Sequence, residues 1–210
     1  MTKIFITDDH FLIREGLKKI LKDERDYELV GEAANGNETL QKLQKTKCDI
    51  LILDFSLPDI SGLDVLKDVK DRFPKMKVLM LSMFPEERFG LRTIKAGADG
   101  YLTKDSVPNE LVNALRKLVA GRKFITETLA QTMAEESDSH NKKMPHETLS
   151  DREFEIFLLL GEGKSVTTIS EKLFLSISTV NTHRTRLLEK MNLKTTAELI
   201  RYAMEHKLVE

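Results

Sequence analysis

At 210 residues the chain has room for one large domain or two modest ones, each able to bury a core. Apolar residues make up 40% and charged residues 32%, a soluble globular balance, and no run reaches the roughly 18 apolar residues that would span a bilayer. A net charge of -1 gives no global hint of nucleic acid, so any such role has to rest on local pattern.

The chain runs directly into a strand-like KIFIT, without a signal-peptide hydrophobic stretch, so a cytoplasmic place and no membrane partner are expected. In chain order, the short apolar runs are KIFIT (3–7), YELVGEA (27–33), DILIL (49–53), KVLML (77–81) and DGYLT (99–103). Between them lie HFLIREGLKKIL, NGNETLQKL, GLDVLKDV, ERFGLRTIKAG and NELVNALRKLV. Strands alternating with amphipathic segments describe repeated strand–helix crossovers, hence a parallel sheet covered on both faces. Ile50 to Leu53 reads as a strand buried on both sides. The single cysteine, Cys48, reads as a small core hydrophobe in a reducing compartment.

Ligands of doubly wound sheets sit just beyond the carboxyl ends of the strands, and here those ends are polar. The first strand ends in Asp8 and Asp9, the third in Asp54 and the fourth in Ser82; the fifth leads through Tyr101 to Lys104. Taken singly, an aspartate at a strand end commonly caps a turn, and most lysines are merely solvated. The set persuades where its members do not. Three carboxylates close together raise one another's pKa unless a cation is present, and an oxygen-rich cluster suits Mg2+. Asp54 then becomes an oxygen nucleophile toward a phosphoryl donor. Mg2+ and Lys104 would offset charge on the transferring oxygens, and Ser82 would hydrogen-bond one of them. No GxxxxGK[ST] or GxGxxG loop follows a strand, so a nucleotide fold has no direct support.

The pieces ITDDHFLIREGL, LILDFSLPDISGLDVL, VLMLS and AGADGYLTKD resemble the receiver domain of bacterial two-component response regulators, over residues 1–125. The resemblance implies an α/β fold, a doubly wound five-stranded parallel sheet of the flavodoxin type. It implies that a sensor histidine kinase phosphorylates Asp54 and that Lys104 pairs with the phosphoryl group. Mg2+ would be held by Asp8, Asp9, Asp54 and the backbone carbonyl of Ser56. Ser82 and Tyr101 would form the switch, the hydroxyl moving toward phosphate and the ring turning inward. His10 is given no role. Asp105 stands where many receivers have proline, so no cis peptide is expected after Lys104.

The apolar rhythm then fails in AEESDSHNKKMPHE, from Ala134, and a linker is placed at residues 126–146. From 147 to 210 every pattern is helical. LSDREFEIFLLLGEG opens on a capping box, Ser150 with Glu153, and ends at Gly161 and Gly163. VTTISEKLFLS is short, SISTVNTHRTRLLEKM starts at a further cap, Ser176, and TTAELIRYAMEHKL closes the chain. ISEKLF turning through LS into the next helix has helix-turn-helix spacing. On that next helix Val180, Leu187 and Met191 share one side, with Ile177 a turn earlier. Ser178, Asn181, Thr182 and Thr185 form the opposite, short-chained polar side, fit to meet base edges in a major groove. Arg184, Arg186 and Lys190 flank it as phosphate contacts, joined by Lys164 and Lys172. From Lys164 to Lys190 five basic and two acidic residues give +3, so the positive charge is local and binding by a monomer is expected to be weak.

LSDRE and TVNTHRTRLLEKMNL carry a second resemblance, to the small all-α helix-turn-helix domain of the LuxR/NarL type. It implies DNA binding with the third helix of the domain as reader, and Val180 and Leu187 in the core. His183 would be a partly buried backbone or phosphate contact, and the last helix, from Thr196, would supply dimer contacts. Position 181 is usually lysine and here is Asn181, an amide able to pair bidentately with adenine. VTTIS replaces the usual NKEIA-like second helix and lowers its helix propensity. Together the halves lead to a phosphorylation-gated transcription regulator, not a turnover enzyme. It would bind double-stranded promoter DNA, form a homodimer when phosphorylated, associate with the nucleoid when bound, and leave RNA polymerase an open partner. Two alternatives stay open: an Asp-phosphorylated module whose helical domain binds a protein, and a small Mg2+-dependent phosphatase.

Overall fold

The computed structural model describes residues 1–138, 144–206 and 208–209. The chain divides into two compact units, Met1–Ser139 and His140–Glu210. Part of the expected linker, residues 139–143, lies outside the described residues.

In the first unit every expected apolar run forms a strand: β1 (Thr2–Thr7), β2 (Tyr27–Ala33), β3 (Ile50–Asp54), β4 (Lys77–Ser82) and β5 (Gly100–Thr103). All pairings are parallel and the order is β2-β1-β3-β4-β5. Helices α1 (Phe11–Lys22), α2 (Gly36–Leu43), α3 (Gly62–Arg72) and α4 (Glu86–Lys95) are the crossovers, and α5 (Val107–Val119) follows the last strand. Period-two alternation splits the strands between two cores. Ile4, Ile6, Ile50, Ile52, Leu79 and Leu81 pack with Leu17 and Leu21 of α1 and Leu111, Leu115 and Leu118 of α5. The alternate residues Phe5, Leu51, Leu53, Val78 and Met80 are just as buried and belong to the opposite face. That double burial is why β3 reads as an unbroken aliphatic run.

One expectation needs correction. Cys48 is half-buried and precedes β3, its thiol donating to the Ile50 carbonyl at 3.1 Å. Burial still pushes that thiol up to about 12. A further helix, α6 (Glu127–Asp138), occupies residues expected as linker. Its first turn is capped by Thr126, which accepts from the Leu129 amide through Oγ1 and from the Ala130 amide through its carbonyl. Leu129 is buried, and a Cβ added at Gly90 of α4 would lie 3.0 Å from it. Leu129 thus anchors α6 on α4, and Thr126 caps it and also bonds Glu86 of α4.

The second unit contains α7 (Asp151–Gly161), α8 (Val166–Lys172), α9 (Ile177–Lys190) and α10 (Thr196–Glu205), and no strand among the described residues. α7 is buried almost all round and touches the other three, the pattern of a central helix. α8 and α9 meet through a turn whose Phe174 is left-handed at φ 52°, and α9 ends at a left-handed Asn192, φ 55°. Among the described residues no helix is long and apolar enough to cross a membrane.

Candidate functional site

The sheet order reverses direction between β1 and β3, and at such a switch point a crevice lies beyond the strand ends. Asp8 and Asp9 follow β1 and Asp54 closes β3, so carboxylates line both sides of it. The structure brings them together with Lys104, which begins a short 3-10 turn after β5. Lys104 Nζ lies 2.7 Å from Asp8 Oδ2 and 2.9 Å from Asp54 Oδ2, with all three side chains buried. Its peptide to Asp105 is trans, as expected. Ser56 donates its amide to Asp54 Oδ1 at 3.4 Å.

These groups perturb one another. Burial raises the Asp54 pKa well above the usual carboxylate range and Asp8 adds to the rise, while Lys104 opposes it. Burial works against the Lys104 charge, but the Asp54 and Asp8 carboxylates outweigh it and hold the ammonium above its ordinary value. Asp8, Asp9, His10 and Asp54 each present a ligand atom, all within 4.8 Å of one another. Asp8 Oδ2, Asp9 Oδ1 and Asp54 Oδ2 are buried, with the Lys104 ammonium beside the first and third and the His10 ring nitrogen beside the second. Clustered carboxylate oxygens with negative charge in excess of the one ammonium fit a divalent cation.

His10 enters this cluster although the sequence reading gave it no part. Its Nδ1 lies 2.8 Å from Asp9 Oδ1 and 3.3 Å from Asp8 Oδ1, and its amide donates to Asp8 Oδ1. The one available signal was adjacency to Asp9. Arg14, one turn into α1, donates to the Asp8 carbonyl at 2.6 Å.

Ser82, the last residue of β4, and Tyr101, within β5, are both buried. The Ser82 hydroxyl accepts from the Phe84 amide at 3.0 Å, and the Tyr101 hydroxyl donates to the Phe84 carbonyl at 2.7 Å. The ring is therefore already inward, and burial raises its pKa. Phe84 packs in turn with Phe55, next to Asp54, and with Phe89 of α4, at centroid distances of 6.3 and 4.9 Å.

In the second unit α9 presents the anticipated faces, with Val180, Leu187 and Met191 buried. Ser178, Thr182 and Thr185 are exposed and Asn181 is half-exposed. The Thr182 and Thr185 hydroxyls donate back to the carbonyls of Ser178 and Asn181, which leaves their lone pairs to accept from outside. Ile177 is a correction: at the first position of α9 it is 51% exposed, because the entering chain has not yet turned onto α7. Arg186, Lys164 and Lys172 are exposed and Arg184 is half-exposed. Lys190 pairs with Glu153 at 2.6 Å. His183 is half-buried with an unbonded Nδ1, and burial, reinforced by Arg152, lowers its pKa.

The same contacts account for the LSDRE opening. Ser150 and Glu153 form the expected capping box. Arg152, which the sequence reading passed over, donates to Glu155 at 2.7 Å and to the Leu173 carbonyl at 3.1 Å, tying α7 to the helix-turn-helix turn.

Residues 4–116 match the family described as the response regulator receiver domain, and residues 147–203 match the bacterial regulatory proteins of the luxR family. The chain is 37% identical over 215 residues to the oxygen regulatory protein NreC of Staphylococcus aureus (strain bovine RF122 / ET3-1), covering 99% of each. Among solved structures it resembles RcsB of Salmonella enterica serovar Typhimurium, bound to promoter rprA in the presence of the phosphomimetic BeF3-. That match has a TM-score of 0.64 at 25% identity, over 96% of this chain and 98% of the other. A two-component response regulator of the LuxR family from Aurantimonas sp. SI85-9A1 matches with a TM-score of 0.60 at 33% identity, over 66% of this chain and all of that one.

Proposed function

This chain belongs to the response regulators that join a receiver domain to a luxR-family helical domain, and on that premise we propose that it is a transcription regulator gated by phosphorylation of Asp54. The observation that carries this reading is Lys104 Nζ lying between the buried carboxylates of Asp8 and Asp54, at 2.7 and 2.9 Å, on the switch-point edge.

The chemistry follows from that geometry. An Asp54 oxygen attacks the phosphorus of a phosphohistidine on a partner kinase. The P–O bond of an acyl phosphate forms as the P–N bond breaks, and the imidazole leaves neutral, keeping its ring proton. Lys104 favours the carboxylate form of Asp54 against burial and Asp8 before transfer and pairs with a phosphoryl oxygen after it. Asp8, Asp9, Asp54 and the Ser56 carbonyl would hold Mg2+, which would supply positive charge against the three carboxylates and the transferring oxygens. Ser82 gives up the Phe84 amide when its hydroxyl turns to the phosphoryl group, and this loosens the loop on which Tyr101 is already latched.

The output is DNA. Ser178, Asn181, Thr182 and Thr185 read base edges while Arg184, Arg186, Lys164 and Lys172 contact phosphates, with His183 and Lys190 at the margin. Few phosphate contacts per copy favour a homodimer on paired half-sites of promoter DNA. RcsB, the similar protein, is described in complex with promoter DNA and as two dimers on two DNAs, which supports this output. Domain bounds of 1–125, 126–146 and 147–210 go with the proposal, α6 lying within the connecting segment.

Incubation with acetyl phosphate and Mg2+, followed by intact-mass analysis, tests the acceptor. Wild type gains one phosphoryl group and Asp54→Asn gains none. Equal incorporation in Asp54→Asn would move the site elsewhere.

A further inference from the structure

The loop from Phe55 to Ser61 carries Ser56 and joins β3 to α3. Its base is fixed twice: the Phe55 amide donates to the Leu81 carbonyl at 2.8 Å, and the Gly62 amide donates to the Phe55 carbonyl at 2.9 Å. Between those anchors the loop arches outward, and Asp59 sits on the arch. Asp59 Oδ1 accepts from the Gly36 amide and Oδ2 from the Asn37 amide, both at 2.8 Å. These are the first two amides of α2, donors that a helix cannot satisfy internally and that carry the positive end of its dipole.

α2 has its own cap without this carboxylate. Asn35 accepts from the Glu38 amide at 2.9 Å, and Glu38 reaches back to the Ala34 amide at 2.8 Å. Asp59 therefore adds a tie between helix and loop that helix termination does not require. The seat is close: a Cβ on Gly36 would stand 2.4 Å from Ile60 Cγ1, so only glycine lets α2 approach the residue beside Asp59.

We propose that Asp59 is a positioning residue for the metal site, clamping the loop that carries the Ser56 carbonyl to the N-terminus of α2. The proposal rests on the reading of Asp8, Asp9, Asp54 and Ser56 as the Mg2+ site. A carbonyl ligand on a loop has no rotamer to adjust; its position is set by where the loop is tied. Two parallel charge-assisted bonds from Asp59 supply the tie farthest from the base.

The test is calorimetric titration of the full-length protein with Mg2+ alone, comparing wild type, Asp59→Ala, Asp59→Asn, Asn35→Ala and Asp9→Asn. Asp59→Ala weakens Mg2+ binding about ten-fold, the low end of what outer hydrogen-bond partners of metal ligands contribute. Asp59→Asn keeps one acceptor oxygen and falls between. Asn35→Ala removes the ordinary cap of the same helix without touching the loop, so it lowers thermal stability and leaves the Mg2+ affinity at the wild-type value. Wild-type affinity in Asp59→Ala, or an equal loss in Asn35→Ala, overturns the clamp. Equal Mg2+ binding by wild type and Asp9→Asn overturns the metal site itself and the clamp with it, and only that result involves Asp9.

Discussion

Replacing Asp54 by asparagine should make the protein more stable in the absence of metal, although on the proposed mechanism it removes the phosphoryl acceptor. The side chain keeps its shape and loses a buried charge. Asp8 presents an oxygen within 4.8 Å of Asp54, a repulsion of at least about 3.5 kcal/mol at an effective dielectric of about 20. Asp9 lies within the same limit. Lys104 at 2.9 Å returns roughly 6 kcal/mol on the same scale, but its ammonium is shared with Asp8 and turns to it when Asp54 is neutral. Burial penalises the charge on the same side as the repulsion. The balance is a gain of about 1–2 kcal/mol in Asp54→Asn, or about 3 °C in Tm per kcal/mol for a unit of this size. Differential scanning calorimetry in EDTA at neutral pH measures it. The pH dependence has a definite sign. A carboxyl whose folded pKa is raised destabilises the fold above that pKa, and the penalty fades as pH falls toward the unfolded value. The gap between variant and wild type should therefore be largest above the raised pKa of Asp54 and close as pH falls toward about pH 4. An Asp54→Asn protein no more stable than wild type in EDTA would refute the view of Asp54 as a strained, electrostatically loaded acid.

Asp99, just before β5, accepts from Lys70, from Lys77 at 2.9 Å and from the Val78 amide at 3.0 Å, and Asp99→Ala should lose about 2–3 kcal/mol in urea titration. Burial raises its pKa but those donors outweigh it and hold it low, so this stabilisation is present above the ordinary carboxylate pKa and is lost as pH falls through the lowered one. Gly62→Ala would put a Cβ 2.1 Å from the Asp54 carbonyl oxygen; backbone cannot yield as a side chain does, so a loss of about 3 kcal/mol is expected by the same titration. Arg186→Ala should weaken DNA binding across sequences and lower the slope of log affinity against log salt by about 1, measured by fluorescence anisotropy.

Much of this was legible in residue order. β3 announced itself because burial on both faces demands aliphatic residues without alternation, and Ser150 and Ser176 marked helix starts because an N-cap needs a short side-chain acceptor. The acidic edge followed from topology, since parallel strands deliver their carboxyl ends to one side. What stayed hidden depended on contacts between distant segments. Asp59 looks like any loop acid until α2, some twenty residues earlier in the chain, is seen to begin beside it. Arg152 and Glu153 sit in a visible capping motif, but their reach to Leu173 and Lys190 belongs to packing. Ile177 fits the helical period and still misses the core, because periodicity gives direction and says nothing of how soon a helix meets its neighbour. α6 was obscured by averaging: the acidic and polar residues of 126–146 outweigh Leu129 in composition, though that leucine is buried against Gly90 of α4.

The central claim joins phosphate on Asp54 to DNA binding, and a single measurement addresses both. Genomic DNA fragments retained by the full-length protein would be sequenced with and without acetyl phosphate and Mg2+, at one fixed salt concentration, for wild type and Asp54→Asn. The account predicts a shared sequence motif with paired half-sites, enriched by phosphorylation in wild type and indifferent to it in Asp54→Asn. Retention of no specific DNA in any condition, or the same enrichment in Asp54→Asn, would contradict it.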